Sequence, residues 1–194
     1  MTKLIRFEEL VVQTHVERAT YRFAGGITSI IGPVGSGKTS LLELLKYAMG
    51  GGAALSNTVK REVQSVVVRV KFASQTLLFS RQIGARTVDV HDADGTLIET
   101  VATTNSRHHR LASTYLLEAA ELPTMTISSR SGRPGSRVDN LSFFDVYRYC
   151  YLSQTEIDRS VVRHDNTILE RRRKAAFEMI FGLSNVETAA AERT

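Results

Sequence analysis

Cysteine is nearly absent. Cys150 is the only one in 194 residues, which excludes an internal disulfide and a thiolate zinc site made within one chain. Long apolar runs are absent too: no stretch of eighteen occurs, so the sequence predicts no transmembrane helix and no membrane partner. The opening residues, Met1-Thr2-Lys3-Leu4-Ile5-Arg6-Phe7-Glu8-Glu9, lack the apolar core of a signal peptide. The expected compartment is therefore the cytoplasm. No internal repeat is present. What remains is a globular composition, 42% hydrophobic and 23% charged, sufficient for one substantial core with a small appended subdomain.

Charge is unbalanced towards the positive, with a formal +5 and a pI near 9.6. That suits contact with nucleic acid, and equally an ordinary solvated surface.

The informative stretch is Gly32-Pro33-Val34-Gly35-Ser36-Gly37-Lys38-Thr39, followed by Ser40. It fits the phosphate-loop pattern G-x-x-x-x-G-K-[ST] without a mismatch. Ile27, Ser29, Ile30 and Ile31 predict a buried strand entering the loop, and Thr39 to Met49 predicts a helix leaving it. Gly50, Gly51 and Gly52 stop that helix. In such a loop successive N–H groups face one concavity and bind phosphate oxygens, aided by the positive end of the helix dipole. Lys38 is then expected on the β- and γ-phosphates and the Thr39 hydroxyl on Mg2+, with ATP as the ligand.

Before the loop, residues 3–12 and Val16 to Phe23 read as two strands. After it come strands at Val63 to Phe72 (Val66, Val68, Val70 and Phe72 on one face), Thr76 to Ile83, Thr87 to His91 and Thr96 to Ala102. Asp92-Ala93-Asp94-Gly95 reads as a hairpin turn rather than a calcium loop, because Val101 stands where the loop's glutamate belongs. Ser106 to Leu122 reads as a helix whose solvated start holds His108 and His109; adjacent on a helix, these diverge and cannot share a metal. Met125 and Ile127 suggest a short strand, and Ser128 to Arg137 a basic loop that either touches nucleic-acid phosphates or does not. Leu141 to Tyr151 reads as a helix capped by Ser142 with Asp145 three residues on. Thr167 to Phe181 makes a long helix stopped at Gly182. Its run Arg171-Arg172-Arg173-Lys174 is either a solvated face or a DNA contact.

A second acidic site is missing. Hydrolysis ordinarily needs an apolar strand ending in Asp or Asp-Glu to hold magnesium and polarise water. Val88-Asp89 and Phe144-Asp145 come nearest, and neither ends a long apolar strand. No Leu-Ser-Gly-Gly-type signature occurs.

Two strands, Gly-Pro-Val-Gly-Ser-Gly-Lys-Thr-Ser-Leu-Leu, an antiparallel region, Tyr-Leu-Ser-Gln-Thr-Glu-Ile-Asp (151–158) and a helix ending Phe-Glu-Met-Ile-Phe-Gly-Leu (177–183) together resemble the N-terminal lobe of an ABC-type head. The branch they resemble is that of the SMC-like ATPases, which include the SbcC-type double-strand-break repair proteins. The resemblance implies an α/β P-loop NTPase lobe over residues 1–183, with an added antiparallel β-subdomain at about 60–103 and a helical part at about 106–183. It also implies the start of a coiled-coil helix at 184–194. Gln154 matches the family's isolated glutamine after the phosphate loop, which contacts magnesium and the attacking water, so Lys38 and Gln154 are the implied catalytic residues. The implied partners are a C-terminal lobe carrying the signature and acidic strand, a second head that pairs on ATP binding, DNA and, in the SbcC-type branch, a nuclease. ATP hydrolysis is expected only once that lobe completes the head. Val34 stands where SMC-like loops commonly carry asparagine, and similar loops occur in ABC transporter domains. The 116 positions from Lys38 to Gln154 exceed the interval such transporter domains resemble. A transporter-type nucleotide-binding domain and a module that binds ATP without turnover remain the alternatives.

Overall fold

The computed structural model describes residues 5–128, 138–151 and 167–182. The described chain divides into two compact units between Glu121 and Leu122. The first is built on one six-stranded sheet. Its strands are β1 (Arg6–Thr14), β2 (Arg18–Arg22), β3 (Val63–Lys71), β4 (Thr76–Gln82), β5 (Thr87–His91) and β6 (Leu97–Ala102), in the order β2-β1-β3-β4-β5-β6 with every pairing antiparallel.

Period-two alternation creates this sheet. Leu10 pairs with Val68, Val68 with Phe79 and Phe79 with Val90, so one row of side chains crosses four strands. All four are fully buried. The anticipated face of β3 is realised: Val66, Val68, Val70 and Phe72 are all buried. Phe79 meets Phe72 and Tyr115 edge-on, with ring centroids 6.4 and 6.3 Å apart. The Asp92–Gly95 segment is a turn, closed by Gly95 N–H to the Asp92 carbonyl at 3.2 Å; Asp92 Oδ1 accepts from the amides of Asp94 and Thr96.

Helix α1 (Lys38–Ala48) lies against β3 and β4. Its buried residues, Leu41, Leu44, Leu45, Tyr47 and Ala48, follow the helical repeat. A short helix that periodicity did not reveal, α2 (Asn57–Glu62), begins where the Ser56 hydroxyl accepts from the Val59 amide at 3.2 Å.

Among the described residues, the second unit holds a two-stranded antiparallel sheet, β7 (Thr126–Ser128) with β8 (Val138–Asn140), and two helices, α4 (Phe143–Cys150) and α5 (Thr167–Phe181). The capping box at Ser142 and Asp145 is present as expected. Between the units' elements in sequence lies α3 (Ala112–Ala119), part of the first unit.

Two expectations are corrected. Ile27 to Ile31 forms no strand and is not buried: Ile27 is 95% and Ile31 91% exposed. A strand is stable only with hydrogen-bonded neighbours, and among the described residues none lies beside it. The helix expected from Ser106 starts only at Ala112. The Ser106 hydroxyl takes the amides of His108 and His109, and Ala102 N–H bonds the Arg110 carbonyl at 2.7 Å, so residues 106–111 turn and then run extended. His108 and His109 therefore sit in a loop, where His109 Nδ1 lies 3.1 Å from the Thr100 carbonyl. Among the described residues no helix is long and apolar enough to cross a membrane.

Candidate functional site

Gly32 to Gly37 form one continuous exposed loop that runs into α1, whose first residues are Lys38, Thr39 and Ser40. Gly35 and Gly37 have φ of 82° and 86°, a left-handed conformation that side-chain-bearing residues rarely adopt. Gly37 is the N-cap of α1 and supplies no side-chain cap. The first turn also lacks acidic residues. The first intrahelical bond, Leu41 N–H to the Gly37 carbonyl, spans 2.9 Å, so the amides of Lys38, Thr39 and Ser40 lie ahead of it at the positive helix end. A helix end of this kind can bind an anion. The Thr39 hydroxyl is exposed beside it, an oxygen donor of the hard type magnesium takes. Val34, fully exposed at the tip, makes no packing contribution to the loop.

Lys38 is turned back onto its own loop. Its Nζ donates to the carbonyls of Gly32 and Pro33, both at 2.7 Å, and to Ser36 Oγ at 3.3 Å. The loop is thus held closed by the residue expected to bind phosphate. A Cβ at Gly32 would lie 2.8 Å from Ser36 Oγ, so a side chain there would displace the Ser36 hydroxyl from its place beside Lys38.

The far end of α1 stops where the glycines predict: Gly50 has φ of 97°, and a Cβ there would lie 2.7 Å from the Cβ of Ala112. Sequence reasoning missed the two residues that anchor this end, Arg81 and Tyr47. Arg81 is buried, and its Nη1 donates to the carbonyls of Tyr47 (2.9 Å) and Gly51 (3.4 Å). Its Nε and Nη2 donate to the Ala85 carbonyl at 3.1 and 2.8 Å. The guanidinium stacks 3.8 Å above the Tyr47 ring. Burial lowers the Arg81 pKa from its ordinary value, yet an arginine stays charged in proteins. The available signal was the phase of β4: Leu77, Phe79 and Arg81 share the buried face, so a cation stood where a core residue belonged.

The carboxylates considered as catalytic acids have other partners. Asp89 accepts from Thr100 Oγ1 at 2.7 Å across β5 and β6. Asp145 is buried, accepts from the Ser142 amide at 3.0 Å and pairs with Arg172 Nη1 at 2.9 Å. Arg172 is therefore tied into the second unit rather than being part of a wholly solvated run. Among the described residues no cluster of three or more His, Cys, Asp or Glu could hold a metal. Gln154, the Ser128 to Arg137 loop except Ser128, and the 184–194 segment lie outside the described residues. An open concavity of about 490 Å³, lined by His15, Lys60, Gln64 and Gln82 among others, includes no phosphate-loop residue.

Residues 12–180 match a family model described as an AAA domain. No curated protein matches the chain.

Proposed function

The chain belongs to the AAA domain family, an AAA-type P-loop ATPase family used by SMC-like proteins, and from that premise we propose that it is the ATP-binding lobe of an SMC-like ATPase head. The observation that carries the reading is a complete phosphate loop in incomplete surroundings. Gly32 to Ser40 is shaped for an anion, while the apolar run Ile27–Ile31 that leads into it is exposed and unpaired among the described residues. A run apolar on both faces suits a strand buried between neighbours. In this reading those neighbours come from a C-terminal lobe, which also brings the signature and the acidic strand.

The loop amides and Lys38 hold the triphosphate, and Thr39 and Gln154 would hold Mg2+. When bound, the metal neutralises phosphate charge. Lys38 then exchanges neutral carbonyl acceptors for anionic oxygens, which make the stronger hydrogen bonds. Two heads pair across ATP as a cytoplasmic homodimer, and their separation on hydrolysis acts on DNA, in keeping with the +5 charge. The engagement of Asp89 and Asp145 elsewhere favours binding with little turnover by this chain alone.

The test is an ATP-binding titration beside a turnover assay, with and without double-stranded DNA, repeated after adding a C-terminal lobe. Binding, little turnover alone and turnover on adding the lobe are expected, and Lys38→Ala should abolish binding. Robust turnover by the chain alone, or unchanged affinity in Lys38→Ala, would overturn the reading. No turnover after complementation favours a binding-only module.

A further inference from the structure

Resting on the ATP-binding reading above, we infer that Arg81 is a positioning residue for the phosphate loop: it clamps the C-terminal end of α1 to the turn after β4 and so fixes the helix whose other end presents the loop amides.

Four observations converge on the clamp. Arg81 reaches the helix end through the Tyr47 and Gly51 carbonyls and the turn through the Ala85 carbonyl. Tyr47 makes a second link to the same turn: its hydroxyl donates to the Gln82 carbonyl at 2.9 Å and accepts from the Gly84 amide at 2.7 Å. The guanidinium and the Tyr47 ring are stacked, so the two links brace each other. Among the described residues, every hydrogen-bond acceptor of Arg81 is a backbone carbonyl.

The last point decides the role. A buried cation without a carboxylate is costly, and an apolar residue continuing Leu77 and Phe79 would fill the core without that cost. What an apolar residue cannot do is donate in two directions at once, as the planar guanidinium fork does. Here the fork meets the negative end of the α1 dipole. The opposite, positive end lies at Lys38, Thr39 and Ser40. Eleven helical residues span about 16 Å, and a helix transmits tilt at one end as displacement at the other. Phosphate recognition by several amides at once tolerates displacements of only about half an ångström. Arg81 thus acts on ATP affinity without touching ATP. By linkage, ATP also tightens the clamp.

The experiment titrates the full chain with ATP in the wild type, Lys38→Ala, Arg81→Met, Arg81→Lys and Tyr47→Phe, and follows amide exchange at Gly84 with and without ATP. Arg81→Met should weaken ATP binding about tenfold, within the usual range of coupling between sites, at unchanged helix content by circular dichroism. Arg81→Lys, which keeps the charge but not the fork, should fall between it and the wild type. Tyr47→Phe, which removes the hydroxyl link to the turn, should weaken binding about threefold, in the range of a lost hydrogen bond. ATP should slow Gly84 exchange in the wild type and not in Arg81→Met. A purely structural residue would change thermal stability but neither the affinity of the folded protein nor the ATP effect on Gly84. Wild-type affinity in folded Arg81→Met overturns the inference. Should that variant not fold, wild-type affinity in Tyr47→Phe with no ATP effect on Gly84 overturns it as well. A wild type that binds no ATP, like Lys38→Ala, instead removes the nucleotide reading on which the inference rests.

Discussion

Two β-branched runs in this chain look alike in sequence and differ in structure. Val66-Val67-Val68-Arg69-Val70 lies at the centre of a six-stranded sheet, paired on both edges, with Val66, Val68 and Val70 fully buried. Ile27-Thr28-Ser29-Ile30-Ile31 carries a similar apolar content, yet no strand is paired with it among the described residues and its isoleucines face solvent. The difference is not local propensity, because isoleucine and valine favour strands equally well. It lies in the neighbours. β1 and β4 supply both ladders for the valine run, β4 through the short turn after Lys71 and β1 from far back in the chain, beyond α1 and α2.

The comparison can be broken by substitution, beginning with the largest effect. Phe79→Ala, in the buried row across the sheet, should destabilise the first unit by about 3–5 kcal/mol in urea unfolding. Gly50→Ala imposes a side chain at φ 97° and at 2.7 Å from Ala112 Cβ; about 2–3 kcal/mol should be lost in the same assay. Asp145→Ala removes the capping box and leaves Arg172 without the carboxylate it now meets. The expected loss is about 1–2 kcal/mol, read from the thermal unfolding of the second unit. Ile31→Ser should change stability by less than about 0.5 kcal/mol, as an exposed substitution does. A loss from Ile31→Ser comparable to that from Phe79→Ala would mean that the two runs are equally packed and the contrast is false. Amide exchange sharpens the same contrast: residues 27–31 should exchange rapidly and Val66–Val70 slowly, since only the latter make ladder bonds.

Much of this was legible beforehand. β3 to β6 follow from alternation and from the Asp92–Gly95 turn, and α1, α4 and α5 follow from their periodicity and caps. In the Gly32–Thr39 stretch the backbone was readable: Gly35 and Gly37 take the positive φ that the pattern asks of glycine, and a helix follows. The failures were of two physical kinds. At Ser106 a hydroxyl competed with the helix for backbone amides, which hydrophobic spacing does not record. At Ile27–Ile31 the apolar pattern reports the surroundings a segment is suited to, and pairing requires a second strand. The back-turned Lys38 and the Arg81 fork depend on carbonyls brought near by folding, and no spacing in the sequence announces them.

The exposed isoleucine run has a consequence for solubility. Ile27-Thr28-Ser29-Ile30-Ile31 is uncharged, rich in β-branched residues and without proline, the composition of segments that stack between chains into cross-β assemblies. Gly25 and Gly26 on one side and Gly32-Pro33 on the other limit how far such stacking can spread, and the net positive charge opposes close approach of copies. At high protein concentration and high salt, which screens that charge, this short run is where self-association of the chain should begin.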